Sequence, residues 1–417
     1  MLYGVILLAL LLPCFRRCGA LARLLPAALV WHFIIWAFNA FWSLPYYAAR
    51  TGADCYWYHH NGIIVAKFIR TGDWGSIPWG LNTAAMPIIA GLLYTPFGGD
   101  IYGLLFFSTV LGLCGGLYFC LAFSLWATSA QLTKYSLIVL FLPSFVTWTA
   151  TFGKDSWIAL GLGLVAYGYS SMVKVGQSKG IPHLLCGSAI VTVVRPHIAV
   201  TVAASMALAY LWSITQTRRG SIMARFLTIA MLIAMVGLLA AVARGFLGWS
   251  DVSADSIEEY VRTRGQRNAI GGSAVEIQAA PGVAGALVAF PRGAVRVLFQ
   301  PFPWEIHNFN AGLAAAENLF ILWFALSHAG HLRKLFRGMV RKPYVLFSSL
   351  FACALLLFLS FIPNLGLLSR QRAQLLPFVF APLVAAETVR KRTARFVRST
   401  RRATRPITGA AGIVTPA

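Results

Sequence analysis

The sequence predicts an all-α fold, a polytopic transmembrane helical bundle. Three observations predict it. First, 58% of the 417 residues are hydrophobic, only 11% are charged, and the mean hydropathy is +0.71, whereas soluble domains carry roughly 25% charged residues. Second, the apolar runs are long and unalternated. Lipid admits only helices or closed barrels, and barrel strands alternate over about ten residues, so helices are expected. Third, the basic residues sit in short clusters between apolar runs, as the positive-inside rule requires of a multi-span chain. The formal charge of +23 therefore reads as topology, and nucleic acid is not expected as a partner.

About twenty apolar residues are needed to cross a bilayer. Stretches near that length, or shorter, occur at 2–14, 24–45, 101–126, 135–152, 156–173, 184–195, 197–214, 225–247, 311–328, 344–362 and 373–388. They give about eleven spans. The first is followed by Arg16 and Arg17. A signal peptide carries its charge before the apolar core, so a short span starting outside is expected. Segment 83–97 is apolar but contains Pro87 and Pro96, and is expected to lie in the interface or re-enter.

With that choice the cytoplasmic side takes most of the 35 Lys and Arg residues, including the clusters 333–342 and 390–405, and the outer side takes nearly all of the 12 acids. The predicted organisation is a membrane domain over 1–388 with two large outer loops, about 46–100 and 249–310. A basic tail over 389–417 would lie on anionic lipid headgroups at the cytoplasmic face. The expected location is a plasma membrane or bacterial inner membrane, with the C-terminus cytoplasmic. The seven cysteines fall mostly in apolar runs and imply no disulfide framework.

Chemistry-bearing residues gather on the outer side. Asp54, Trp57, Tyr58, His59 and His60 stand together after the second apolar stretch. Asp54 and Tyr58 are four apart and would share a helix face. The carboxylate suits a general base toward a sugar hydroxyl, and the rings suit stacking on a sugar. The competing reading is an aromatic belt with a capping Asp. Lys154 and Asp155 lie between two spans at the outer face, where charge is costly and a functional candidate by default. Lys154 suits a lipid phosphate; alternatively, Asp155 caps the next helix. Arg195, before Pro196, interrupts an apolar stretch and needs an anion, either Asp155 or a substrate phosphate. Arg264 and Arg267, three apart and followed by Gly271 and Gly272, resemble a phosphate clamp or else a solvated helix. Glu305 lies among Pro301, Phe302, Pro303 and Trp304, a set suited to a sugar pocket, and Glu317 lies about one turn inside a span. Arg370 and Arg372 sit at the outer start of the last span against the positive-inside trend, and a diphosphate-linked substrate supplies a reason for them.

These motifs, in this order, resemble the GT-C superfamily of multi-span glycosyltransferases. The features are the Asp54 loop, the turn at Gly72-Asp73-Trp74, the segment ending Pro96-Phe97-Gly98, the Leu142-Pro143 to Asp155 stretch, and Arg370-x-Arg372 before Pro377. Bacterial polysaccharide polymerases share the last two. The resemblance covers about half the chain in short motifs. It implies a polyprenyl-phosphate-linked sugar as donor, a glycan or lipid acceptor, and Asp54 as the catalytic acid of the first outer loop. The family's usual pair of acids appears here as Asp54 followed by Cys55, so no cofactor is expected, and a divalent metal lacks its second acid. The expected activity is glycosyl transfer at the outer face, with Asp54 and Asp155 catalytic. Lys154, Arg195, Arg264, Arg267, Arg370, Arg372, Trp57, Tyr58 and Glu305 would contact substrate. A repeat-unit polymerase and a lipid-linked substrate transporter or flippase are the alternatives.

Overall fold

A computed structural model describes residues 2, 4–6, 19–49, 53–175, 179–216, 282–306, 309–331, 342–360, 362 and 364–386. The expected span at 225–247, most of that at 2–14, Arg264, Arg267 and the basic tail lie outside them. Among the described residues the chain is helical, with no strand.

The helices are α1 (Gly19–Phe38), α2 (Leu44–Ala48), α3 (Asp54–Thr71), α4 (Ala85–Phe97), α5 (Ile101–Ser124), α6 (Ser129–Phe141) and α7 (Pro143–Thr149). There follow α8 (Lys154–Val175), α9 (Gly180–Val194), α10 (Pro196–Gln216), α11 (Gly282–Phe299), α12 (Phe309–His328), α13 (Pro343–Leu359) and α14 (Leu365–Ala386). Their ends follow local chemistry. Asp100 accepts from the backbone N–H groups of Tyr102 and Gly103 at 3.0 Å each and starts α5. Thr128 and Gln131 form a reciprocal capping box on α6. Gly72 closes α3 in the left-handed conformation, φ 73°, which favours a residue without Cβ. Pro143 and Pro196 end the preceding helices because a proline clashes with the turn before it.

Five helical segments are long and apolar enough to cross a membrane: Leu21–Ala48, Ile101–Ser124, Lys154–Lys174, Pro196–Ser213 and Ala311–His328. The pair α6 and α7, bent by 50°, makes a sixth if counted as one span. Three further apolar helices, α4, α9 and α13, are shorter. The eleven full spans expected are thus not reached among the described residues, in part because Pro143 and Pro196 cut apolar stretches into bent or short pieces. The segment 46–100, expected to be a large outer loop, is largely helical, since α2, α3 and α4 occupy much of it.

Packing relies on small residues. A Cβ on Gly115 of α5 would lie 2.5 Å from the backbone of Ala159 in α8, and one on Gly163 would meet Gly115 at 2.5 Å. Gly161 and Gly187, and Gly168 and Gly180, bring α8 equally close to α9. Close backbone approach of this kind drives helix association where lipid gives no hydrophobic push. Between the first two long apolar helices α3 packs on α4 through Gly62 on Ala90 and Gly91 on Val65. Helices α1, α2, α7, α12 and α14 surround a cavity of about 510 Å³, with the first turn of α3 at one edge.

Candidate functional site

The site begins with Asp155, in the first turn of α8 and 1% exposed. A carboxylate so buried needs donors on both oxygens. Its Oδ1 accepts from Arg195 Nη2 and Gln374 Nε2, each at 2.8 Å. Its Oδ2 accepts from Arg370 Nε. Arg195 reaches it because Pro196 ends α9 and leaves the arginine in an extended turn between two helices. Arg370 and Gln374 share a face of α14 by helical spacing.

Arg370 then bridges outward. Its Nη1 donates to Asp54 Oδ2 at 2.8 Å, and its guanidinium lies 5.9 Å from the centre of the Trp148 ring. The Asp54 side chain is 60% exposed, against 2% for Asp155. One arginine thus holds a sealed carboxylate with one edge and an open carboxylate with the other. Asp54, Trp148 and Arg370 border the cavity. Its other walls are mixed: Ile35, Phe38, Leu44, Leu313 and Ala314 are apolar, while Asn39, Ser43, Ser144, Thr147 and Glu317 bring polar groups.

Around Asp54 the first turns of α3 are tied down. Tyr58 is buried and packs edge-on against Phe152, ring centres 6.1 Å apart. Burial, and then the charge of Asp54, pushes its phenol up to about 12, so it stays protonated. The Cys55 thiol is pushed up to about 12 by the same two causes and is a poor nucleophile there. One turn on, Nδ1 of His59 lies 2.6 Å from the Tyr94 hydroxyl. Burial holds that imidazole below its ordinary pKa, so it is neutral near pH 7 and serves the α3–α4 contact. Among the described residues no group of three or more His, Cys, Asp or Glu side chains is placed to hold a metal ion.

The structure brings together Asp54, Asp155, Arg195 and Arg370, with Lys154 beside them. Lys154 donates to Thr83 Oγ1 at 2.7 Å, and the neighbouring Asn82 N–H donates to Val193 O at 2.8 Å. The α3–α4 connection is thereby pinned over the buried network. Two expected roles change. Asp155, sealed under three donors, has no oxygen left for a substrate and holds Arg370 in place. Arg195 is bound to Asp155, so its Nη2 is not offered to a phosphate.

Arg370 and Arg372 do not act as one clamp. They lie inside α14, which starts at Leu365 rather than at 373, and two residues along a helix point to different faces. Arg372, 0% exposed, donates from Nη1 toward the carbonyls of Val297, Leu298 and Gln300 at 3.4, 3.3 and 3.1 Å. It thereby satisfies the carbonyl end of α11. Trp57 is 52% exposed and does not border the cavity. Glu305 accepts from Gln300 Nε2 at 2.8 Å and Phe302 N at 2.7 Å, a local turn away from the charge network. Glu317 does border the cavity, but its oxygens take the Ser144 N–H and hydroxyl at 2.6 Å each, capping α7 where the broken helix resumes.

Sequence reasoning passed over Gln374, Trp148 and Asn39. The spacing of four between Arg370 and Gln374 was a usable signal once that segment is read as helix. Nothing in the sequence marks Asn39. Compared with known proteins, the chain matches no family model, no curated protein and no solved structure.

Proposed function

We propose that this protein is a membrane glycosyltransferase that moves a sugar from a polyprenyl-phosphate donor to an acceptor hydroxyl at the outer face of its membrane. One observation carries the reading. A cavity of about 510 Å³ joins apolar wall residues to an open carboxylate held by a half-buried arginine. An amphiphile with an anionic head and an isoprenoid tail has the matching polarity.

In this reading the tail lies along Ile35, Phe38 and Leu313, and the phosphate meets Arg372, with Arg370 and Lys154 adding positive charge nearby. Asp54 takes the proton of the acceptor hydroxyl as that oxygen forms its bond to the sugar's anomeric carbon. The bond from that carbon to the phosphate oxygen breaks, and its electron pair leaves on the lipid phosphate. The proton then passes from Asp54 to solvent or to the departing phosphate. Arg370 holds Asp54 in place, and the cationic set offsets charge growing on the leaving group.

The decisive experiment is Asp54→Asn in the native host. A positioned general base contributes about 10²–10⁴ in rate, so glycan output should fall by that order while protein level stays normal. Unchanged output at normal protein level removes Asp54 as the base. Arg195, Arg370 and Arg372 within one region also favour a second reading, polymerisation of lipid-diphosphate oligosaccharides. In a deletion strain, loss of polymer with single repeats retained selects it.

A further inference from the structure

We propose that Asn39 reads the group carried on the lipid phosphate, by accepting a hydrogen bond from one of its hydroxyls. This rests on the donor reading given above and names a residue that selects the donor. Helix α1 is interrupted at Asn39–Ser43 by a π-helical turn, after which α2 continues the segment. A π turn inserts a residue and re-aims the side chains around it, and such turns recur at functional sites. Here it puts Asn39 and Ser43 on the wall of the cavity.

Asn39 is 1% exposed. Its amide nitrogen donates to Thr147 O in α7 at 2.9 Å, which fixes the orientation of the group. The carbonyl oxygen, Oδ1, is left buried with no partner. A buried acceptor without a donor is costly and needs an explanation.

A second orphan lies on the same cavity. Arg372 spends Nη1 on the carbonyls at the end of α11, while its Nε and Nη2 have no partner. Those two nitrogens form the side-on edge of the guanidinium, the fork that matches two oxygens of a phosphate. Both residues border the cavity, so a side-chain movement would turn a donor pair toward an oxyanion and one acceptor toward an O–H. A bare lipid phosphate satisfies the first and leaves Asn39 orphaned. A lipid phosphate bearing a sugar satisfies both.

The test uses the full chain in lipid nanodiscs, with Trp31 and Trp148, both on the cavity wall, as fluorescent reporters of occupancy. The probes are a long-chain polyprenyl phosphate and the same lipid carrying glucose, galactose or mannose on its phosphate. At least one sugar-bearing lipid should bind about tenfold tighter than the bare one, the order expected when a buried acceptor gains its donor. Asn39→Leu should abolish that gain while the bare lipid binds as before. On the unaltered protein, removing one hydroxyl from the preferred sugar should cost the same factor. That arm decides the matter if Asn39→Leu does not assemble. A preference that survives Asn39→Leu, or that no single deoxy sugar reduces, overturns the proposal, as does equal binding of all four lipids. Failure of every lipid to bind overturns the donor reading itself, and this inference with it. Binding of the bare lipid without an Asn39-dependent preference sinks only the role of Asn39.

Discussion

Asp155 and Asp54 are both aspartates on the same arginine, yet burial gives them opposite work. Asp155 is saturated by Arg195, Arg370 and Gln374, whereas Asp54 keeps an open face. Removing one partner of a buried ion pair leaves an uncompensated charge and costs roughly 3–5 kcal/mol. An exposed pair is worth about 0–1 kcal/mol. Asp155→Ala should therefore lower the thermal unfolding temperature in detergent by a wide margin, while Asp54→Asn leaves it almost unchanged and removes activity. Equal stability losses for the two would contradict the division of labour. The acids themselves were legible in the sequence; which of the two is open to substrate was not, because burial depends on residues as distant as 370 and 374.

At the scale of elements, two broken helices shape the site. Pro143 breaks the α6–α7 pair, and Glu317 caps the resumed helix through Ser144. Glu317→Gln keeps an acceptor and should be mild. Glu317→Ala leaves a buried N–H unsatisfied, at a cost of about 1–3 kcal/mol, readable as a lower unfolding midpoint. Pro196 breaks the second pair and frees Arg195 to reach Asp155. Helix packing gives a further expectation. Gly163→Leu forces bulk against the backbone of Gly115, and should abolish recovery of a monodisperse protein, whereas a leucine at exposed Gly330, with nothing within 4 Å of its Cβ position, should not. Both prolines were visible in the sequence as breakers. Pro143 falls inside one expected span, 135–152, which the structure bends by 50°, and Pro196 separates the short helix Gly180–Val194 from the longer one that follows, since a break costs length as well as direction.

For the whole molecule, sidedness is the property on which the function turns. Asp54, Lys154, Asp155, Arg195 and Arg370 are drawn together from all three thirds of the chain. The proposed transfer at the outer face requires that end to face outward. Reporter fusions after residues 154 and 371 should therefore read outside, and one in the basic tail should read cytoplasmic. A cytoplasmic signal at 154 or 371 would remove the outer-face reading altogether.

The sequence by itself determined that this chain belongs in lipid, that it is helical, and that its rare acids and misplaced arginines merit suspicion. Composition and hydropathy are sums over residues, and such sums survive any arrangement of the helices. Only the tertiary structure decided that Arg370 links a sealed aspartate to an open one, that Arg372 turns to the end of α11, and that Asn39 stands with an unmet acceptor in the cavity. Each depends on contacts between residues dozens to hundreds of positions apart, and local patterns carry no record of where those distant groups come to rest.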